Sequence, residues 1–261
     1  MIASGRSDRL RQPIRFGLGI GGNLVLGRST CIALAVAVAA LASPQRAQAA
    51  GGAFAVDDVE VGAVGSCKVE SWVSFASNRD FVGVTSPACV VNLGRPVEIA
   101  AQFQRFSAGN VWGTSATLKA KTNLIPVEPT KIGLGLSGGV TFDILTGDAT
   151  TVFVVVPVTF QVTEQVRVNV NGGWAWDPTA AQNVATVGAG FEWNFVKPLT
   201  LIGEVFAVAG PGQSNPRFQL GLRYTPVDYL DFDLIYGRNI AGEDANWITL
   251  GLNVRWGGRE K

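Results

Sequence analysis

The sequence predicts an all-β protein, a single closed, antiparallel, up-and-down transmembrane β-barrel of about twelve strands. Three observations lead to this prediction. Apolar and polar residues alternate from about residue 67 to residue 256, a secretory leader precedes them, and aromatic residues gather at both ends of the predicted strands. Because successive side chains of a strand point to opposite faces, the alternation gives each strand one apolar face, which a barrel can turn toward lipid.

Residues 1–49 have the layout of a signal peptide. Five arginines and one acid occupy residues 1–28, an apolar run extends from Cys31 to Ala42, and Ala47-Gln48-Ala49 fits a small-x-small cleavage pattern. The apolar run has roughly 12 residues, whereas a spanning helix needs about 20, so we expect cleavage before residue 50 and export of the mature chain. The basic region is long for a leader, and the true start is therefore expected downstream of the first residue.

Three parts are expected after the leader. Residues 50–66 are predicted to form a periplasmic lead segment, residues 67–256 the outer-membrane barrel and residues 257–261 a short tail. Cleavage removes six of the 21 basic residues and one of the 20 acidic residues, which leaves a net charge of −4. No run of lysine or arginine remains, and nucleic acid is therefore not an expected partner.

Twelve segments combine alternation with flanking turn residues. Ten strands is the alternative if the first hairpin lies outside the wall. Two residues depart from the pattern: Trp72 shares the inward face with Lys68 and Glu70, and Pro157 removes a ladder hydrogen bond inside a strand. The predicted strands are residues 67–77, 80–86, 96–106, 111–123, 131–143, 150–162, 166–177, 184–195, 199–208, 216–225, 229–238 and 247–256.

The connections and the aromatic residues distinguish two rims. Tight turns such as 127–129 and 163–165 alternate with longer polar stretches such as 178–182 and 239–245, which predicts a periplasmic turn rim and an external loop rim. Aromatic residues of the apolar face then form two belts, as expected where strands cross the two membrane interfaces. The loop-rim belt contains Trp112, Phe142, Trp176, Phe218 and Tyr236, and the turn-rim belt contains Phe160, Trp193, Phe195, Tyr224 and Trp256.

Two cysteines remain in the mature chain, one on each side of the first predicted hairpin. If the turn centres on Asn78, Cys67 and Cys89 are cross-strand partners near the periplasmic rim and within reach of a disulfide. Exported proteins favour the bridged form. The alternative is a pair of free thiols, which a comparison of reducing and non-reducing mobility distinguishes.

The inward face carries charges of both signs. A turn centred on Val227 would place Arg223 opposite Asp231, and closure of the barrel would bring Arg255 close to Glu70. Such charges either line a hydrated pore or close the interior by salt bridges, since barrels of about eight strands are filled and those of about sixteen leave a channel. The predicted lumen residues are Glu98, Lys119, Lys121, Lys131, Asp143, Arg167, Asp177, Glu192, Glu204, Arg217, Arg223, Asp231, Asp233 and Arg255.

The sequence predicts neither an enzyme nor a bound cofactor or metal. It has no histidine, which removes His-type metal sites and the base that known outer-membrane barrel enzymes use. The stretch Gly133 to Gly138 fits a G-x-G-x-x-G pattern, but it lies within a strand that no helix follows. A dinucleotide is therefore not expected.

The chain resembles small Gram-negative outer-membrane β-barrel proteins of the porin or transporter type. The resemblance rests on the cleavage pattern, the two belts and the ending Thr249 to Trp256, which looks like the signal read by the barrel-assembly machinery. The residues after Trp256 depart from that pattern. The resemblance implies the outer membrane, contact with its lipid and with the assembly machinery, and one of two functions. These are passive passage of small hydrophilic solutes through a charged, glycine-rich lumen, or a closed structural or surface-interaction barrel without transport. The solute and the oligomeric state are not defined by the sequence.

Overall fold

The computed structural model describes residues 53–210 and 213–257, in which twelve antiparallel strands form a closed barrel. Each strand pairs with its neighbours along the chain, and the first pairs with the last. The predicted fold class is confirmed, with twelve strands rather than ten because the first hairpin is part of the wall. The strands are β1 (Ser66–Ala76), β2 (Phe81–Asn92), β3 (Pro96–Ala108), β4 (Val111–Ile125), β5 (Ile132–Asp143), β6 (Ala149–Gln161), β7 (Val166–Asp177), β8 (Gln182–Val196), β9 (Leu199–Gly210), β10 (Gln213–Val227), β11 (Leu230–Asn239) and β12 (Asn246–Gly257).

The predicted signal peptide and residues 258–261 of the predicted tail lie outside the described residues. In the described part of the chain, no helix is long and apolar enough to cross a membrane.

The outward face of the barrel is apolar and exposed. Leu118, Val205 and Leu250 each expose more than half of their surface. Exposed apolar area costs about 25 cal/mol per Å² in water, and lipid removes that cost. Members of both predicted belts are exposed on this face, including Trp112 at the loop rim and Trp256 at the turn rim. The outward face therefore has the pattern of a barrel that lipid surrounds.

The two rims differ less in loop length than the sequence suggested. The β3–β4 connection at the loop rim has only residues 109–110, whereas the β4–β5 connection at the turn rim covers residues 126–131. Strands β8 and β10 each have 15 residues and continue into polar stretches that were predicted as loops. The loops at 178–181 and 240–245 keep nearly their predicted bounds, so extended strands replace a predicted connection mainly between β9 and β10.

Pro157 lies where the β5–β6 ladder is interrupted. The pairing passes from Leu134–Val158 to Ser137–Val155 without the two intervening pairs. Pro157 is fully buried, and a Cβ on Gly135 would lie 2.8 Å from the Pro157 Cγ. The missing N–H of the proline therefore falls in a gap of one ladder, while β6 stays paired with β7 on its other side.

Cys67 and Cys89 form the predicted disulfide. They are direct partners in the β1–β2 register, which is centred on Asn78 as predicted. The bridge ties the start of the barrel to the second strand at the turn rim.

Removal of this disulfide is expected to weaken the barrel without changing its fold. The bridge joins residues 22 positions apart. A disulfide that closes a loop of this size lowers the entropy of the unfolded chain and thereby stabilises the fold by about 3 kcal/mol. In the Cys67→Ala/Cys89→Ala variant we expect the free energy of unfolding, measured by urea titration in detergent, to fall by about 3 kcal/mol. Equal values for the variant and the unaltered protein would contradict this prediction.

Candidate functional site

The lumen contains the chain that precedes the first strand. We call residues 53–62 the N-terminal segment. Phe54, Val56 and Val59 of this segment are at most 7% exposed, because the wall surrounds them. Residues 50–66 are predicted to be a periplasmic lead segment, whereas the structure places residues 53–60 among the inward side chains of the barrel. The segment therefore occupies the space that a solute would have to cross.

An apolar cluster anchors the beginning of the segment. Phe54 belongs to one buried cluster with Trp72 of β1, Ile202 of β9 and Ile235 of β11. Trp72 is 7% exposed, so the inward tryptophan that departed from the strand pattern has an apolar environment. The Phe54 ring also lies 5.4 Å from the Arg223 guanidinium, within the range of a cation–π contact.

Inward glycines leave the room that the segment fills. A Cβ on Gly188 would lie 2.8 Å from the Val56 Cγ2, and a Cβ on Gly133 would also collide with Val59. Real Cβ atoms essentially never approach so closely. The glycine content of the inward face therefore accommodates the segment and does not by itself widen a pore.

The wall satisfies the backbone of the segment. The N–H groups of Ala55 and Val56 donate to the Glu204 carboxylate at 2.9 and 3.1 Å. The Val59 N–H donates to the Thr159 hydroxyl at 3.1 Å. In the orientation that pairs donors with acceptors, the Asn171 amide bonds both the N–H and the C=O of residue 57. The segment is not part of a sheet, so these side chains supply the hydrogen bonds that a neighbouring strand would otherwise give to its backbone N–H and C=O groups.

Two adjacent carboxylates of the segment bind cations of the wall. Asp57 accepts from the Lys121 ammonium at 2.7 Å and from Lys119 at 3.3 Å. Asp58 accepts from Lys121 at 2.9 Å and from Arg167 at 3.3 Å. The side chains of Asp57 and Lys121 are 6% and 5% exposed, so this ion pair is buried. The pair joins the segment firmly to β4.

The same ion pairs act on the ionisation of Asp57. Burial alone would raise the pKa of the Asp57 carboxyl, but Lys119 and Lys121 outweigh that effect and hold the pKa below its ordinary value. A group with a lowered pKa stabilises the docked state at pH values above its ordinary pKa and loses that effect as the pH falls through the lowered one. The Asp57 ion pairs should therefore hold the segment at neutral pH and lose that effect in strong acid.

Ion pairs within the wall follow the wall and do not cross the lumen. Each joins residues of one strand or of strands at most two apart, as far as the described residues show. The links that cross the lumen are made by the N-terminal segment, for example by Asp58 between β4 and β7. The wall pairs inside the lumen are Lys68–Glu70, Lys68–Glu98, Arg167–Glu192, Arg223–Asp231, Arg223–Asp233 and Arg255–Asp231.

The predicted register between β10 and β11 was wrong. Arg223 pairs with Asp233, and its guanidinium bonds that carboxylate at 2.7 and 3.0 Å, whereas Asp231 lies 4.0 Å away. A bulge between Tyr224 and Val227 shifts the strands relative to a turn centred on Val227. Arg223 therefore still lies beside a carboxylate, but that of Asp233, two residues after the predicted Asp231.

The predicted pair of Arg255 and Glu70 across the closing strands is also wrong. Arg255 lies opposite Lys68, as closure of the barrel required. Its guanidinium, however, bonds Asp231 at 2.6 and 3.0 Å, and Glu70 bonds Lys68 at 3.4 Å. Arg255 thus pairs with a carboxylate of β11, while the carboxylate of Glu70 pairs with Lys68 of its own strand.

Four predicted lumen residues lie away from the charged part of the lumen. Lys131 is in the β4–β5 connection, and the carboxylates of Asp143 and Asp177 accept hydrogen bonds from N–H groups of the following loops. Arg217 lies on β10 nearer the loop rim, and its buried Nε has no hydrogen-bond partner among the described residues. The other predicted residues gather in the half of the lumen nearer the turn rim.

A family model described as "Uncharacterised conserved protein UCP029691" matches residues 37–256. The chain belongs to this family. A search of curated protein sequences found no match.

Solved structures with a similar fold include two porins and an outer membrane channel. The KdgM porin is 7% identical with a TM-score of 0.57, and the match covers 72% of this chain and 98% of that one. The NanC porin is 8% identical with a TM-score of 0.58 and a coverage of 71% and 98%. The COG4313 outer membrane channel from Pseudomonas putida F1 is 14% identical with a TM-score of 0.57 and a coverage of 76% and 98%. At these identities the likeness shows a shared fold.

The lumen of this UCP029691 member is divided into two chemically different halves. Toward the turn rim, a cavity of about 590 Å³ lies between the segment and the wall, and most of its lining is charged or polar. Toward the loop rim, hydroxyl pairs such as Thr117–Thr141 and Ser74–Thr249 line the wall. Such an interior can hold water and bind ions, and the N-terminal segment separates its parts.

Proposed function

We propose that this protein is a passive outer-membrane channel for small hydrophilic solutes, with a lumen that the N-terminal segment constricts. The fold is shared with proteins described as porins and as an outer membrane channel. Leader-directed export, insertion by the barrel-assembly machinery and absence of enzymatic activity belong to the same proposal. Export is supported by the leader layout of residues 1–49, insertion by the apolar outward face and by Trp256 near the end of β12, and the absence of enzymatic activity by the lack of histidine.

The proposal rests on one observation: the groups that close the lumen come from the N-terminal segment. They belong to a chain segment that has no place in the wall, and the wall ion pairs leave the centre unbridged. If the segment withdraws, Lys119 and Lys121 lose the only carboxylates that bond them in the described structure. Charged side chains without partners need water, so the lumen would then hydrate. A hydrated lumen of twelve strands is a route for small solutes.

The second candidate is a closed barrel without transport. It is favoured by the completeness of the docking, in which the apolar, backbone and charged groups of the segment all have partners. In that case the segment is a permanent part of the core. The two functions differ in whether the segment leaves the lumen in a membrane.

Planar-bilayer recordings test the proposal with the full chain and the Asp57→Asn/Asp58→Asn variant. The substitutions keep the shape of the segment and remove the charge that binds Lys121 and Arg167. Loss of one partner of a buried ion pair disfavours the docked state, so we expect the open probability in KCl to rise by about tenfold or more. The unaltered protein should show less frequent steps of the same conductance.

Asp244→Asn is the matched control, because it removes an exposed carboxylate from a rim ion pair and leaves the lumen unchanged. Its recordings should equal those of the unaltered protein. Silence of every variant over the full range of salt and voltage would contradict the channel and favour the closed barrel.

A further inference from the structure

We propose that Lys119, Lys121 and Arg167 form a binding site for small polycarboxylate solutes, and that the carboxylates of the N-terminal segment occupy this site in the structure. The inference rests on the proposed function, because a solute reaches these residues only when the segment leaves the lumen. It adds a chemical class of solute and names the residues that select it.

The groups that occupy the site in the structure are themselves carboxylates. Asp57 and Asp58 supply neighbouring carboxylates, and Lys121 bonds both, at 2.7 and 2.9 Å. Lys119 and Arg167 extend the site on either side, each at 3.3 Å from one of these carboxylates. A third carboxylate, that of Glu60, bonds Arg167 at 2.7 Å. The segment thus presents the wall with three carboxylates in one short stretch, as a small polycarboxylate would.

The cations of the site are only partly neutralised by acids of the wall once the segment is absent. Glu98 lies opposite Lys121 in the β3–β4 register, but its carboxylate bonds Lys68 at 3.2 Å. Glu192 is already bonded to Arg167 at 2.8 Å. Lys119, Lys121 and Arg167 therefore have only two acids of the described wall beside them. Glu98 is already bonded to Lys68, and Glu192 neutralises only Arg167. This sector of the lumen retains positive charge, which attracts anions.

One further acid of the wall faces the segment. Glu204 of β9 accepts hydrogen bonds from two N–H groups of the segment, and Gln219 donates to it at 2.8 Å. An emptied lumen would offer this carboxylate to donors on the solute. The combination favours a solute that carries several carboxylates together with hydroxyl groups, and citrate is a simple probe of that class.

Calorimetric titration of the full-length protein in detergent micelles tests the site. We expect citrate to bind the Asp57→Asn/Asp58→Asn variant about tenfold or more tightly than the unaltered protein, because the internal carboxylates no longer compete. Adding Lys121→Gln should weaken citrate binding by about tenfold or more, since a charge-assisted contact is lost. Lys131→Gln, which removes a lysine of the β4–β5 connection, is the matched control and should leave the affinity unchanged.

Lys119→Gln gives a second variant in case loss of Lys121 prevents folding, and heat-dependent gel mobility verifies the fold of each. The inference is overturned if citrate does not bind the Asp57→Asn/Asp58→Asn variant, or if neither lysine substitution changes the affinity. The assignment of polycarboxylates as the class of solute is overturned if inorganic phosphate binds as tightly as citrate.

The bilayer recordings separate this inference from the channel itself. Conductance without lysine-dependent citrate binding would leave the channel standing and remove the site. Lysine-dependent citrate binding by a barrel that never conducts would leave a ligand site in a closed barrel and remove the channel. If both hold, citrate should reduce the KCl conductance of the Asp57→Asn/Asp58→Asn variant, and an equal concentration of a neutral trisaccharide should reduce it less.

Discussion

A disulfide between the N-terminal segment and β8 is expected to abolish conductance until it is reduced. A Cβ on Gly190 would lie 3.5 Å from the Cβ of Val56, and disulfides join Cβ atoms about 3.5 to 4.5 Å apart. Val56→Cys/Gly190→Cys should therefore oxidise spontaneously in the Cys67→Ala/Cys89→Ala background. With the segment fixed in the lumen, conductance steps should be absent, and a reductant added to the bilayer chamber should restore them.

The single substitutions are the controls for this experiment. Gly190→Cys alone brings a Cβ to 3.2 Å from the Glu204 Cγ, so its recordings measure any effect of that crowding. Neither single variant should respond to the reductant. If mass spectrometry verifies the crosslink and the oxidised double variant still conducts as the reduced one does, the segment does not control the lumen.

The wall of this barrel was predictable because lipid acts on every strand in the same way. An outward face that must be apolar leaves period-two alternation in the sequence, and the β1–β2 register followed from the turn at Asn78. The β10–β11 register was mispredicted because the bulge between Tyr224 and Val227 leaves no alternation signal. Local irregularities of the ladder shift partners by a residue or two, which is enough to change an ion pair.

The N-terminal segment escaped prediction for a different physical reason. Its hydrogen bonds to the wall reach β4, β6, β7, β9 and β10, with sequence separations of 62 to 166 residues, so no local pattern records them. One signal was present nevertheless. Trp72 on the otherwise polar inward face of β1 requires an apolar partner, and Phe54 is the one aromatic residue between the expected cleavage site and β1. Asp57 and Asp58 likewise complement the inward lysines of β4, and Glu60 complements Arg167 of β7.

Arg223→Ala is expected to cause the largest loss of stability of any single change in the wall. The Asp233 side chain is 0% exposed, and Arg223 binds it through two hydrogen bonds while Asn253 supplies a third at 3.1 Å. Without Arg223 a buried carboxylate keeps one neutral donor. Leaving a buried charge unpaired costs about 3 to 5 kcal/mol, and urea titration of the refolded barrel should show a loss of that size.

Arg238→Ala provides the matched control, since it breaks the Arg238–Asp244 pair, whose side chains are 49% and 78% exposed. Such exposed pairs contribute about 0 to 1 kcal/mol, so the unfolding free energy should hardly change. The double variant Arg223→Ala/Asp233→Asn should recover part of the loss, because the cost arises from the uncompensated charge and not from the lost side-chain volume. Equal losses for Arg223→Ala and Arg238→Ala would mean that water reaches Asp233 freely, and the turn-rim half of the lumen would then already be open in the docked state.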